Sequence, residues 1–235
     1  GRHFEAFKNR IKMFPRRRGM GVERLSQYLD FHIESMKAGD VDPQNACLRY
    51  ISERFELNLE QRYWLAYLFG TCYCAPTVFY MYNEFPDYEK TDPARLRNWW
   101  AKNKKHCYFQ TDRRRFKNND DLVPSFLSFK KLIGENNTQH DFFWGRQDLD
   151  MKRTFKTLFR DCQKIFSFGR FSLFNYLDMV RILTPCRIEP PTIEFQHARS
   201  CRNGLKYILG EDEAVDHGKK TKWKRSDQVW LHDSL

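Results

Sequence analysis

Short alternating runs of β-branched residues are almost absent from this sequence, which argues against a sheet and leaves helices as the framework. It has no long Gly/Ser linker and no internal repeat of fixed period. A predominantly helical, all-α chain with one compact domain over residues 1–210 is therefore expected, followed by a charged C-terminal tail over 211–235. Several chemistries are excluded by missing motifs. No G-x-x-x-x-G-K-[ST] provides a phosphate-cradling loop, and no G-x-G-x-x-G provides a dinucleotide turn. H-E-x-x-H is absent, as are the G-x-S-x-G elbow and the thiol-protease signature. His32-Ile33-Glu34 fits half of the zinc-deaminase pattern, but no P-C-x-x-C supplies the other half.

Cysteine is present but unpaired in pattern. The seven cysteines are odd in number and scattered, so they read as reduced thiols in a cytosol-like compartment rather than a disulfide scaffold. Cys72 and Cys74 form only C-x-C and read as buried thiols, with no metal site expected. No charged-then-apolar leader pattern opens the sequence. Tyr63 to Asn83 carries no charge and has the length of a bilayer span. Its Gly70, Pro76 and five tyrosines instead indicate a buried core helix broken near Pro76, and no membrane is expected.

Helix punctuation is plentiful. Val22 to Lys37 sets Leu25, Tyr28, Leu29, His32, Ile33 and Met36 on one face. Asp42-Pro43 and Asp92-Pro93 each pair an N-cap with proline at the first helical position. Asn58 followed by Gln61 resembles a capping box, opening the helix of Trp64, Leu65 and Leu68. Asn103 to Asp121 reads as loop or short irregular structure, Phe126 to Ile133 as helix and Gly134 to Thr138 as a break. Further helices are expected over Asp148–Phe166 with Gly169 as C-terminal cap, over Phe171–Leu183, and over Glu194–Leu209 ended by Gly210.

What the chain does have is positive charge and aromatic rings. The net charge is +11, with 21 Phe, 11 Tyr and 6 Trp. Cations neutralise phosphates and flat rings stack on bases, so nucleic acid is the first partner to consider. The densest cationic stretch is Gln110-Thr111-Asp112-Arg113-Arg114-Arg115-Phe116-Lys117, shortly after Lys104 and Lys105. It reads as a phosphate-contacting loop, with Trp99, Trp100, Tyr108 and Phe109 as neighbouring stackers; a solvated surface loop is the alternative. Gly145 and Arg146 lie where a helix is expected to begin, a place that favours anions. Phe168-Gly169-Arg170-Phe171 offers a close backbone approach beside a cation, with Asn175 and Asp178 on the helix that follows. Asp178 is either a structural ion-pair partner or a base. His197, with Cys201 and Gly204 on the same helical face, is either a structural histidine or a proton acceptor.

Several of these stretches resemble one family. They are Arg62 to Thr77, Asn83-Glu84-Phe85-Pro86-Asp87, Phe109-Gln110-Thr111-Asp112-Arg113, Phe168-Gly169-Arg170-Phe171 and Cys201-Arg202-Asn203-Gly204-Leu205. The sequence is similar here to the phage alpha-glutamyl/putrescinyl thymine pyrophosphorylases, or amino acid:DNA transferases. The resemblance implies a soluble enzyme of the infected host's cytoplasm, acting on double-stranded phage DNA. An amino acid or polyamine would displace pyrophosphate from pyrophosphorylated 5-hydroxymethyluracil, giving a hypermodified thymine. It also implies an architecture related to DNA glycosylases, although the helix-hairpin-helix consensus and four-cysteine cluster spacing are missing. Under this reading Asp112, Asp178 and His197 are candidate bases. Gln110, Arg113, Arg146, Arg170, Arg202 and Asn203 are candidates for pyrophosphate or substrate. Lys104, Lys105, Arg114, Arg115 and Lys117 are candidates for DNA. Mg²⁺ is a conceivable aid to pyrophosphate binding, without an Asp/Glu cluster that demands it. A non-catalytic helical nucleic-acid-binding module and a glycosylase-like base-excising enzyme are the alternatives.

Overall fold

Nine α-helices, five of them opened by side-chain caps, occur among the described residues, which are 42–110, 113–134 and 137–191 of a computed structural model. They are α1 (Pro43–Arg54), α2 (Leu59–Cys72), α3 (Ala75–Glu84), α4 (Pro93–Asn103), α5 (Arg114–Asn118), α6 (Leu122–Ile133), α7 (Gln139–Trp144), α8 (Met151–Cys162) and α9 (Arg170–Leu183). A 3₁₀ turn, Lys104–His106, follows α4, and no strand occurs among the described residues. The described residues form an all-α fold, as the missing β pattern indicated.

The expected caps are formed. Asp42 accepts from the Gln44 amide at 2.8 Å and Asp92 from the Arg95 amide at 2.7 Å. Asn58 and Gln61 bond reciprocally, each at 3.0 Å. The uncharged stretch breaks where proline demands it. Helix α2 ends at Cys72, Tyr73 turns left-handed at φ 49°, and α3 restarts with Pro76 in its first turn. No described helix is long and apolar enough to cross a membrane.

Helix α2 is the axis of the core, with every residue from Tyr63 to Cys72 buried. Helix α9 crosses it at Gly70, where an added Cβ would lie 3.0 Å from the Cβ of Tyr176 and 3.1 Å from the Phe168 ring. Rings fill the space around them. Tyr67 stacks on Phe129 at 4.2 Å and on Phe168 at 5.5 Å, and its hydroxyl meets Ser125 at 3.0 Å. The buried Trp64 indole donates to the Phe85 carbonyl at 2.7 Å. Much of the aromatic excess is therefore structural.

Three local expectations are corrected. Gly145 and Arg146 follow the end of α7 instead of opening a helix; the next one starts at Met151, capped by Asp150. The helix expected over Asp148–Phe166 is α8 alone, and Phe166 lies in a turn, half exposed. Gly169 is the N-cap of α9 and not the C-cap of α8. The helices expected over Val22–Lys37 and Glu194–Leu209, and the boundary at Gly210, lie outside the described residues.

Candidate functional site

Two stretches that are far apart in sequence, Gln110–Lys117 and Phe168–Phe171, meet at the start of α9. The first is tied to the end of α2, where the Gln110 amide donates to the Cys72 carbonyl at 3.1 Å and the Arg113 amide donates to the Gln110 carbonyl at 3.0 Å. The second is held by α6: Asp121 accepts from the Ser167 hydroxyl, and Ser128 Oγ accepts from the Phe166 amide at 2.7 Å. Arg115 donates to the Ser167 carbonyl and lies against Gly169, its Nη2 3.4 Å from where a Cβ would stand. Arg113 donates to the Phe171 carbonyl at 3.0 Å and lies 4.3 Å over the Phe171 ring.

This corner has the chemistry of an anion site. Gly169 brings no capping side chain to the first turn of α9, and Arg170 is its first residue. The first turn of a helix has amides that lack partners within the helix and carries the positive end of its dipole. Two donors nearby are buried without a partner, the Ser172 hydroxyl and the Arg115 Nε. Beside them the Tyr73 hydroxyl donates to Asp42 at 2.8 Å, and its ring packs under Arg113 and against Phe171. Burial, then the Asp42 carboxylate, push the Tyr73 phenol up to about 12. The side-chain amide of Asn175, one turn beyond Phe171, is buried and unpartnered. The sequence pattern marked Asp42 only as an N-cap and did not single out Tyr73. Their meeting depends on the left-handed turn after α2.

The family model for amino acid:DNA transferases matches residues 36–230. The chain belongs to the amino acid:DNA transferase family. A protein of Salmonella phage ViI named serinyltransferase is 26% identical to it over 171 residues, covering 69% of this chain and 41% of the relative. The chain thus spans less than half the length of that curated relative. No solved structure matches it.

The remaining candidates of this amino acid:DNA transferase family member divide clearly. Arg146 is engaged by partners within the protein. It sits at the carbonyl end of α7, pairs with Asp161 at 2.8 Å, donates to the Phe142 carbonyl at 2.8 Å and lies 3.7 Å over the Phe142 ring. Arg113 is fully buried, so it braces the corner instead of reaching from an open loop. Asp178 pairs with Arg181 at 2.8 Å on its own helix and stays partly exposed. Among the DNA candidates, Lys104 pairs with Asp120 at 2.7 Å and Lys117 donates to the Cys107 carbonyl at 2.9 Å. Lys105 and Arg114 are exposed. Of the four expected stacking rings, Trp100 and Phe109 are buried and Trp99 packs on Phe85, which leaves Tyr108 exposed. Asp112, His197, Arg202 and Asn203 lie outside the described residues. No group of three metal-ligating side chains occurs among the described residues.

Proposed function

We propose that the chain transfers an amino acid onto a pyrophosphorylated 5-hydroxymethyluracil in double-stranded phage DNA, in the cytoplasm of an infected host. The amine nitrogen attacks the exocyclic methylene carbon. The carbon–oxygen bond to pyrophosphate breaks, the leaving group departs with the electron pair, and the amine proton passes to a base. The observation that carries this reading is the corner at the start of α9, where Arg115 and Arg170 flank a helix N-terminus braced by Arg113. Fixed donors that neutralise a departing pyrophosphate lower the barrier because they are already oriented when its charge develops. Asp178 is the described candidate for the base, and Asp112 and His197 are the others. Gln110 holds the cationic segment to α2 through its backbone. The relative's name makes serine the first donor to try.

The test mixes purified protein with DNA containing pyrophosphorylated hydroxymethyluracil and a panel of amino acids and polyamines. The DNA is then digested to nucleosides for mass spectrometry, with pyrophosphate measured in parallel. A new amino-acid-bearing nucleoside with matching pyrophosphate release is expected. Arg170→Ala and Arg115→Ala are each expected to lower turnover by about 100-fold or more, the usual effect of losing an oriented transition-state donor. DNA binding with no new nucleoside from any amine would return the chain to a binding module, and an abasic site would indicate base excision.

A further inference from the structure

Helix α6 separates two surface clefts that share one residue. The larger, of about 840 Å³, is lined by Lys130, Lys131, Asn137 and Thr138, with Gly134 at its base. The smaller, of about 370 Å³, is lined by Arg97, Lys104 and Asp120 against Trp100. Leu127, 43% exposed, lines both, so the two clefts adjoin at the exposed side of α6.

The charge along this path is mostly positive. Lys130 stands 5.7 Å from the Tyr88 ring and 5.6 Å from the Phe126 ring, and Lys131 and Arg97 are exposed. Asp120 is paired with Lys104 at 2.7 Å and accepts from the Trp100 indole at 3.0 Å, which leaves Glu89 as the other carboxylate of the lining. Cations favour the carbonyl end of α6, which accounts for two lysines there. It does not account for Arg97, which comes from α4 and lines the other end of the same path. Gly134, at φ 93°, caps the end of α6, and Asn137 and Thr138 line the same cleft as the lysines.

We propose that this groove along α6 is the track for the sugar–phosphate backbone of DNA, with Lys130, Lys131 and Arg97 as its phosphate contacts and Leu127 against the sugars. Backbone contacts of this kind fix register on a duplex without reading sequence, so the groove serves any chemistry done on the bases. The inference rests on DNA as the partner and is independent of the transfer reaction. Its test therefore uses unmodified duplex.

Fluorescence anisotropy of a labelled duplex between about 50 and 200 mM salt reads the number of phosphates neutralised, because each contributes about −0.9 to the log–log slope. The full chain with Lys130→Ala, Lys131→Ala and Arg97→Ala is expected to bind roughly tenfold or more weakly, with a slope shallower by about 2 to 3. Lys130→Arg with Lys131→Arg should keep the slope. The exposed Lys131→Glu alone, which does not threaten the core, should weaken binding in the same direction. An unchanged slope in the triple variant overturns the proposal. It also fails if Lys105→Ala with Arg114→Ala removes the slope while the triple variant does not. Polyglutamate binding lost in the triple variant, with DNA binding intact, would assign the groove to acidic peptides and overturn it too. Failure of the nucleoside assay with these DNA results intact would reject the transfer reading and leave the groove standing.

Discussion

Arg146 has its guanidinium committed on three sides, to Asp161, to the Phe142 carbonyl and to the Phe142 ring. Replacing it with alanine is expected to cost about 2 to 3 kcal/mol, since Asp161 is only 14% exposed and loses its main partner. Burial alone would raise the Asp161 carboxyl, but the Arg146 and Arg160 hydrogen bonds outweigh it and hold the carboxyl below its ordinary range. A depressed folded value means that the pair stabilises fully above the unfolded carboxylate range near pH 4 and loses its effect as pH falls through the folded value. The melting-temperature gap between wild type and Arg146→Ala should therefore narrow in acid. A gap constant from neutral pH to about pH 2 would contradict this account. At this scale the sequence was a poor guide. Arg146 and Lys104 carry the residue type of an anion site, but their acceptors, Asp161 and Asp120, come from other elements and cannot be read from local spacing.

The helices were more legible, for a physical reason. Caps sit next to the turns they satisfy, so Asp42, Asn58 and Asp92 announce their helices locally. Helix α7 was not announced. It has six residues, too few for a period; a local Thr138–Asp141 capping box opens it, and Glu60 of α2 adds to that cap by accepting from the Gln139 amide at 2.9 Å and the His140 amide at 2.7 Å. Gly169 was assigned to the wrong helix because glycine at either end of a loop looks the same in sequence. Gly70 was visible only as an interruption, and the structure gives its role. Gly70→Ala would push a methyl into the Tyr176 backbone-adjacent Cβ, which cannot swing away as a side-chain tip can. A loss of about 1 to 3 kcal/mol is expected from overpacking, against the small gain that alanine brings to an open helix position. Chemical denaturation measures it, and a stabilised variant would mean that α9 does not lie as close to α2 as described.

For the molecule as a whole, composition pointed to nucleic acid before any position was considered, and packing then divided the surplus. Rings such as Tyr67, Trp64 and Phe129 went to the core, while the described cations other than Arg113 stayed at least partly exposed. The same packing encloses the thiols. Cys72, Cys74, Cys107, Cys162 and Cys186 are buried, and Cys47 is exposed. Burial pushes the Cys107 thiol up to about 11 and the Cys186 thiol up to about 12. Mass-spectrometric footprinting with iodoacetamide at neutral pH should thus modify Cys47 in the folded protein. The five buried thiols should be modified only as the core opens in denaturant, and together if that core is cooperative. Early labelling of Cys107 or Cys186 would show that the core opens piecemeal.

The arrangement of α2 also bears on how the chain is made. Its ten consecutive buried residues are synthesised well before the helix that crosses them, α9. At a typical translation rate of about 5 to 20 residues per second, the stretch between them takes on the order of ten seconds to emerge. During that interval a nascent α2 has no α9 to cover it. The uncharged run Tyr63–Asn83 is then a ready target for chaperones or for other nascent chains on the same message. Slower translation would prolong that exposure without changing a single native contact.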